Sequence, residues 1–299
     1  MYRYTAFGLG IDSELPLPQL PLGAGDTSVR ICLGHVQRNL AKESKHPVSG
    51  YISIGTEEVY VAYEQEATYL VRAGREIIVD PCPGVESGRL QVRLTGVVMA
   101  LLLQQRSSLV LHGNAVADGN GVIALIGVAR AGKSTLTALL LQYGYTFVTD
   151  DVVAVEVRQT ERSEILPGFP QMKLWPDTLE HLGWPLEVAP RFWPDWDKRH
   201  WSVNGLIPSE GLKLRQIYVL EEGDDIAIEP LTGKAAFMMI VQHLYHAGLM
   251  TALDPAGCYF RSCIQMVDQV RVCRLRRPKN FRINPDVLRR LADDLLSCL

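Results

Sequence analysis

No stretch of this 299-residue chain approaches the roughly 20 apolar residues that a membrane-spanning helix needs, and no purely apolar run outlasts residues 97–103. The opening Met1-Tyr2-Arg3-Tyr4-Thr5 lacks the basic-then-apolar pattern of a secretory signal. The expected setting is therefore the cytoplasm, without a membrane partner. Basic charge is not in surplus: 30 Lys and Arg stand against 33 Asp and Glu, which argues against wholesale nucleic-acid binding. The 6 cysteines are scattered, with no CxxC pair and no Cys/His set at ligand spacing, so a zinc site and a disulfide framework are both disfavoured. Internal repeats and low-complexity tracts are absent as well.

What is present changes character along the chain. Residues 1–88 read as a β-rich module, with short β-branched runs at 30–33, 51–54, 58–63 and 76–79 punctuated by Gly and Pro. Residues 89–299 read as a second domain of α/β type. It opens with a buried helix at 90–105. Two apolar strands at 108–111 and 122–126 follow, joined by the tight-turn residues Asp118-Gly119-Asn120-Gly121. A helix at 132–143 precedes strands at 145–148 and 152–157. Residues 167–201 are rich in Pro and Trp and read as loops with one short helix at 176–182. A strand at 216–220, a helix at 233–245 and a last helix from Asn284-Pro285 to Leu296 complete the expectation. Overall the chain is α+β, with an α/β core carrying the chemistry.

That chemistry centres on Gly127-Val128-Ala129-Arg130-Ala131-Gly132-Lys133-Ser134, which fits G-x-x-x-x-G-K-[ST]. Average residue frequencies would give the four fixed positions by chance in about 1% of such chains. The loop follows an apolar strand and opens a helix, as phosphate binding requires. Successive N–H groups, through Thr135, present positive potential to phosphate oxygens. Lys133 is expected to reach the β- and γ-phosphates, and the Ser134 hydroxyl to sit on Mg²⁺. ATP with Mg²⁺ is the expected ligand pair.

Asp150 and Asp151 close the strand after the phosphate-loop helix, where strand ends gather beside such a loop. One carboxylate can hold Mg²⁺ and the other can accept a proton from an attacking hydroxyl. Adjacent side chains on a strand point to opposite faces, so both reach the site only if the backbone turns there. His112, beside the first apolar strand, reads either as a core histidine or as a third functional group.

The order Leu111-His112-Gly113-Asn114-Ala115-Val116, the loop 127–134, Gly144 and Asp150-Asp151 resembles the HPr serine kinase family over residues 108–157. The loop departs from that family's usual Ser-Gly at Ala129-Arg130, and the family's second downstream signature is absent. In its place stand Pro167-Gly168-Phe169-Pro170-Gln171-Met172-Lys173-Leu174-Trp175-Pro176 and Asp197-Lys198-Arg199. With the opening 7–18 segment, these resemble the branch associated with lasso-peptide biosynthesis. The resemblance implies a fold akin to phosphoenolpyruvate carboxykinase and a kinase acting on the terminal serine of a precursor peptide. It assigns Asp150 as the base, Asp151 to the metal and His112 to the neighbourhood of the phosphates. It also implies a homo-oligomer.

Three further clusters need an assignment. Lys198 and Arg199, between Trp196 and Trp201, could close over phosphates or a peptide carboxylate. The basic run Arg271, Arg274, Arg276, Arg277, Lys279, Arg282 reads as a solvated edge. His243 and His246 read as structural residues on one helix face. The resulting expectation is a serine kinase for a peptide or small protein, using ATP and Mg²⁺. The competing expectations are a kinase for a small-molecule hydroxyl and a nucleotide-binding regulatory module.

Overall fold

The computed structural model describes residues 1–23, 25–37, 44–46, 50–54, 57–203, 212–246, 257–278 and 294. Strands β1 (Tyr2–Ala6), β2 (Leu9–Ser13), β3 (Thr27–Leu33), β4 (Ser44–His46), β5 (Gly50–Ile54), β6 (Glu58–Tyr63), β7 (Ala67–Arg72) and β8 (Glu76–Pro81) form one sheet. Their order is β1-β2-β3-β8-β7-β6-β5-β4. The four runs read from the sequence all fall in these strands. Alternation decides which face is covered: Val59, Val61, Tyr69, Val71, Ile77 and Val79 are buried, and the residues between several of them are not.

The covering element is a helix in three pieces: α1 (Ser87–Arg93), a π-helical turn at Leu94–Val98 and α2 (Met99–Gln105). The sequence reads as one helix, but Gly96 departs from helical geometry and the ladder widens around it. Every residue from 94 to 104 is buried, because the helix lies between two sheets. One apolar cluster joins Val59, Tyr69 and Ile77 of the first sheet, Leu94, Val98 and Leu101 of the helix, and Val110, Val152 and Ala154 beyond it.

The second sheet contains β9 (Leu109–Asp118), β10 (Gly121–Ile126), β11 (Thr146–Thr149), β12 (Val152–Glu156) and β13 (Glu164–Leu166). A small ribbon, β14 (Gln171–Leu174) with β15 (Arg199–Ser202), stands apart from it. β16 (Leu212–Glu222), β17 (Ala227–Leu231) and β18 (Arg271–Arg277) complete the second sheet. β9 is long enough to serve two neighbours on one side: its first half pairs with β12 and its second with β11. On its other side β10 folds back antiparallel, and β10, β16 and β18 run parallel. Helices α3 (Lys133–Gln142), α4 (Pro176–Leu182), α5 (Gly233–Gln242) and α6 (Cys258–Gln269) pack around this sheet. The molecule is a mixed α/β fold with several sheets. No helix among the described residues is long and apolar enough to cross a membrane.

Part of the 167–201 segment is β-structure rather than loop, because Met172 and Leu174 alternate into the apolar cluster over α3. The helix expected to reach Tyr245 stops at Gln242. His243 caps it and His246 adopts φ +54°, so the two histidines do not share a helix face. The basic run is not a solvated edge: Arg271 pairs with Asp294 at 2.8 Å, Arg274 with Glu221 at 3.0 Å and Arg276 with Glu229 at 2.9 Å. Arg277 turns inward, and Lys279 and Arg282 lie outside the described residues, as does the helix expected at 284–296 apart from Asp294, which is helical.

Candidate functional site

The parallel trio β10, β16 and β18 ends at one edge, and the crevice outside such carboxyl ends is where α/β sheets bind ligands. The loop from Gly127 leaves β10 there and enters α3. Its turns are set by three left-handed or extended-positive positions, Gly127 (φ +154°), Arg130 (φ +66°) and Gly132 (φ +82°). At Gly132 a side chain is strained by the positive φ, and a Cβ would also displace the Arg277 guanidinium, which donates to the Ala131 carbonyl. A buried arginine from the end of β18 thus holds the outer side of the loop.

Lys133 is buried and folded back, its ammonium donating to the Gly127 carbonyl at 2.7 Å and the Val128 carbonyl at 3.1 Å. Burial lowers its pKa to about 8, with Asp151 and Asp150 opposing the shift. Thr135 meets Thr178 of α4 at 3.1 Å through their hydroxyls. Val128 is exposed.

The backbone turn that both aspartates need is present: Asp151 sits at φ +73°, and the Val152 N–H returns to the Asp150 carbonyl at 2.9 Å. The two carboxylates therefore face different partners. Asp150 is buried and accepts from the Asn114 amide at 2.5 Å, the Ser134 hydroxyl at 3.3 Å and the Lys173 N–H at 2.8 Å. Burial raises its pKa, against the charge of Lys173. Asp151 accepts from the Lys173 ammonium at 2.7 Å and lies 3.2 Å from His112 Nδ1. Burial pushes its carboxyl up, but Lys173 and His112 together outweigh this and hold it well below the usual range. Ser134 and Asp151, expected together at the metal, are not partners; the serine meets Asp150.

His112 is fixed from behind, its backbone N–H donating to the His243 carbonyl at 2.9 Å and its ring edge-on to Tyr245 at 5.6 Å. Lys198 enters from the loop before β15. Its ammonium lies 5.6 Å from the centre of the Trp175 ring and 5.9 Å from that of Trp196. Arg130 reaches Trp175 too, at 5.8 Å. Arg199 goes elsewhere: it pairs in register with Leu174 and donates to the Ala189 carbonyl at 3.4 Å. The crevice thus gathers His112, Lys133, Ser134, Asp150, Asp151, Lys198 and Arg130, but not Arg199.

Three residues of the site carried no functional role in the sequence. Asn114 had a usable signal, since it lies two places after His112 and so shares its strand face. Lys173 touches both aspartates, yet in sequence it is a lone cation in the segment 171–174. Arg277 was hidden within the basic run.

Among the described residues no group of three or more His, Cys, Asp or Glu could hold a metal. A serine hydroxyl beside one buried carboxylate is instead a sparse oxygen set. It suits Mg²⁺, which keeps several waters and takes its remaining ligands from substrate phosphates.

No family model matches the chain, and no curated protein matches it. Among solved structures, the HPr(Ser) kinase/phosphatase from Coxiella burnetii is similar over 63% of this chain and 93% of that one, at 13% identity and a TM-score of 0.32.

Proposed function

We propose that the protein is a kinase that transfers the γ-phosphate of ATP to a serine hydroxyl on a peptide or small protein. The observation that carries this reading is the hydrogen-bonded set Asn114–Ser134–Asp150 at the mouth of the phosphate loop, with a second, ionised carboxylate beside it. A simple anion-binding loop needs neither carboxylate.

In this reading Lys133 exchanges its two carbonyl partners for phosphate oxygens, and the loop amides hold the remaining phosphates. Ser134 and Asp150 would hold Mg²⁺, which when bound would supply neutralisation of charge on the phosphate oxygens. Asp151 takes the proton of the serine hydroxyl as its oxygen attacks the γ-phosphorus. The bond to the bridging oxygen breaks and ADP leaves. These roles exchange those implied by the sequence resemblance. The exchange is supported by the Ser134–Asp150 contact, which leaves Asp151 outside the set that meets the phosphate loop; its pairing with Lys173 keeps Asp151 ionised, although less basic.

The finer identity of the acceptor, the terminal serine of a lasso-peptide precursor, rests on the resemblance of residues 7–18 and 167–176. The test is mass spectrometry of candidate peptides, that precursor included, after incubation with the protein, ATP and Mg²⁺. A phosphate gained on serine supports the reading. Nucleotide binding with no transfer to any acceptor would leave a regulatory module instead.

A further inference from the structure

All 5 tryptophans of the chain, Trp175, Trp184, Trp193, Trp196 and Trp201, lie within a span of 27 residues. Trp184 stacks on Trp201 at 4.5 Å and Trp193 on Trp196 at 4.4 Å, so the segment is braced by its own rings. Two cations rest on this frame, Lys198 on Trp175 and Trp196 and Arg130 on Trp175 alone. Arg130 belongs to the phosphate loop and Lys198 to the far side of the crevice. Trp175 is the surface they share.

A lysine on indole faces is held by a cation–π attraction that strengthens as water is excluded. A phosphate oxygen is a stronger partner. The crevice has charge to spare: Lys133, Lys173, Lys198 and Arg130 stand against Asp150 and Asp151. Lys198 belongs to this group electrostatically, since both aspartates act on its ammonium and it in turn acts on Lys133. Lys173 is already committed to Asp151.

We propose that Lys198 is the residue that contacts the γ-phosphate of the bound triphosphate, leaving its seat between Trp175 and Trp196 to do so. Lys198 would then be a catalytic residue, a cation supplied by the same chain that offsets charge on the transferred group. This rests on the nucleotide reading above. It predicts that the chain tells triphosphate from diphosphate before any acceptor arrives, and that the tryptophans register the difference.

The experiment is a titration of the full chain, followed by tryptophan emission and in parallel by calorimetry. The probes are the Mg²⁺ complexes of ADP and of a non-hydrolysable ATP analogue with an imido β–γ bridge. Wild-type emission is expected to change with the analogue and to change much less with ADP. In K198M the two nucleotides should give the same emission, and the preference for the analogue over ADP should fall about tenfold or more, the usual scale of one charge-assisted contact. K198R should keep part of that preference. Equal emission responses to both nucleotides in the wild type, with K198M retaining the full preference by calorimetry, overturns the inference and leaves the nucleotide site standing. If calorimetry detects neither nucleotide on the wild-type chain, the underlying reading fails, and this inference with it.

Discussion

Ser134 Oγ lies 3.3 Å from Asp150 Oδ1 although sixteen positions separate them, and the Asn114 amide touches both residues. The contact sorts two adjacent carboxylates into different tasks. Asp150 faces the helix N-terminus and the phosphate loop, whereas Asp151 faces His112 and Lys173. Asp150→Asn is therefore expected to weaken the Mg²⁺-dependent part of nucleotide affinity. Asp151→Asn is expected to leave that affinity within a few-fold and to lower transfer by about two to four orders of magnitude, the range of a general base. Calorimetry with and without Mg²⁺, beside a transfer assay, separates the pair. The opposite pattern would restore the roles that the sequence resemblance implies.

The phosphate-loop lysine should make nucleotide binding depend on pH in the alkaline range. Burial lowers Lys133 to about 8 in the free protein, and phosphate oxygens favour its charged form. Below that pH the ammonium is already present and affinity is flat. Above it, binding must recruit a proton, so affinity should fall by up to about tenfold per pH unit. Calorimetry in buffers of different ionisation enthalpy reads the proton uptake directly. Lys133→Arg stays charged throughout and should flatten the profile. A wild-type affinity that does not change between about pH 7 and 9.5 rules the idea out.

Lys173 should set the acid limb of the transfer reaction. Its ammonium, 2.7 Å from Asp151, is the main force holding that carboxyl below its ordinary value against burial. A base must be ionised to work, so the wild-type limb should lie at low pH. Lys173→Met removes the cation, Asp151 protonates more readily, and the limb should move upward; Lys173→Arg should restore it. Stability follows the same sign. The depressed carboxyl contributes stability above the unfolded value of about 3.9, and this is lost as pH falls through the folded one. A Lys173→Met rate profile that keeps the wild-type limb, with only its height reduced, would assign Lys173 a purely structural part.

The local code was legible where chemistry is written in contiguous residues. The phosphate loop, the strand before it, the helix after it and the turn demanded at Asp150-Asp151 all follow from spacing and backbone preference. The β-rich opening followed from alternation. What stayed hidden depends on pairing across the chain. Nothing local says that β14 will lay Lys173 against aspartates twenty-two and twenty-three positions away, or that the end of β18 will bring Arg277 to the loop. The helix at 90–105 was visible as an apolar stretch. Its break at Gly96 was not, because a glycine in a buried helix reads the same whether it is tolerated or required.

Gly96 is where that distinction can be tested. A Cβ there would sit 3.3 Å from Asp151 Oδ2, 3.8 Å from Lys173 Nζ and 3.8 Å from the Tyr245 hydroxyl. The helix backbone thus forms a wall behind the Asp151–Lys173 pair. The closest atom belongs to the carboxylate oxygen that Lys173 holds, so a methyl group would press on the ion pair before anything else. Overpacking of this kind costs about 1–3 kcal/mol in a filled interior. Here part of the strain should appear as a displaced base. Gly96→Ala is therefore expected to lower the transfer rate by more than about tenfold, with affinity for the non-hydrolysable nucleotide unchanged, because Ser134 and Asp150 lie on the other side of the turn. Thermal melting should fall by several degrees at most. A variant that melts lower but transfers phosphate at the wild-type rate would show that the wall supports the core alone.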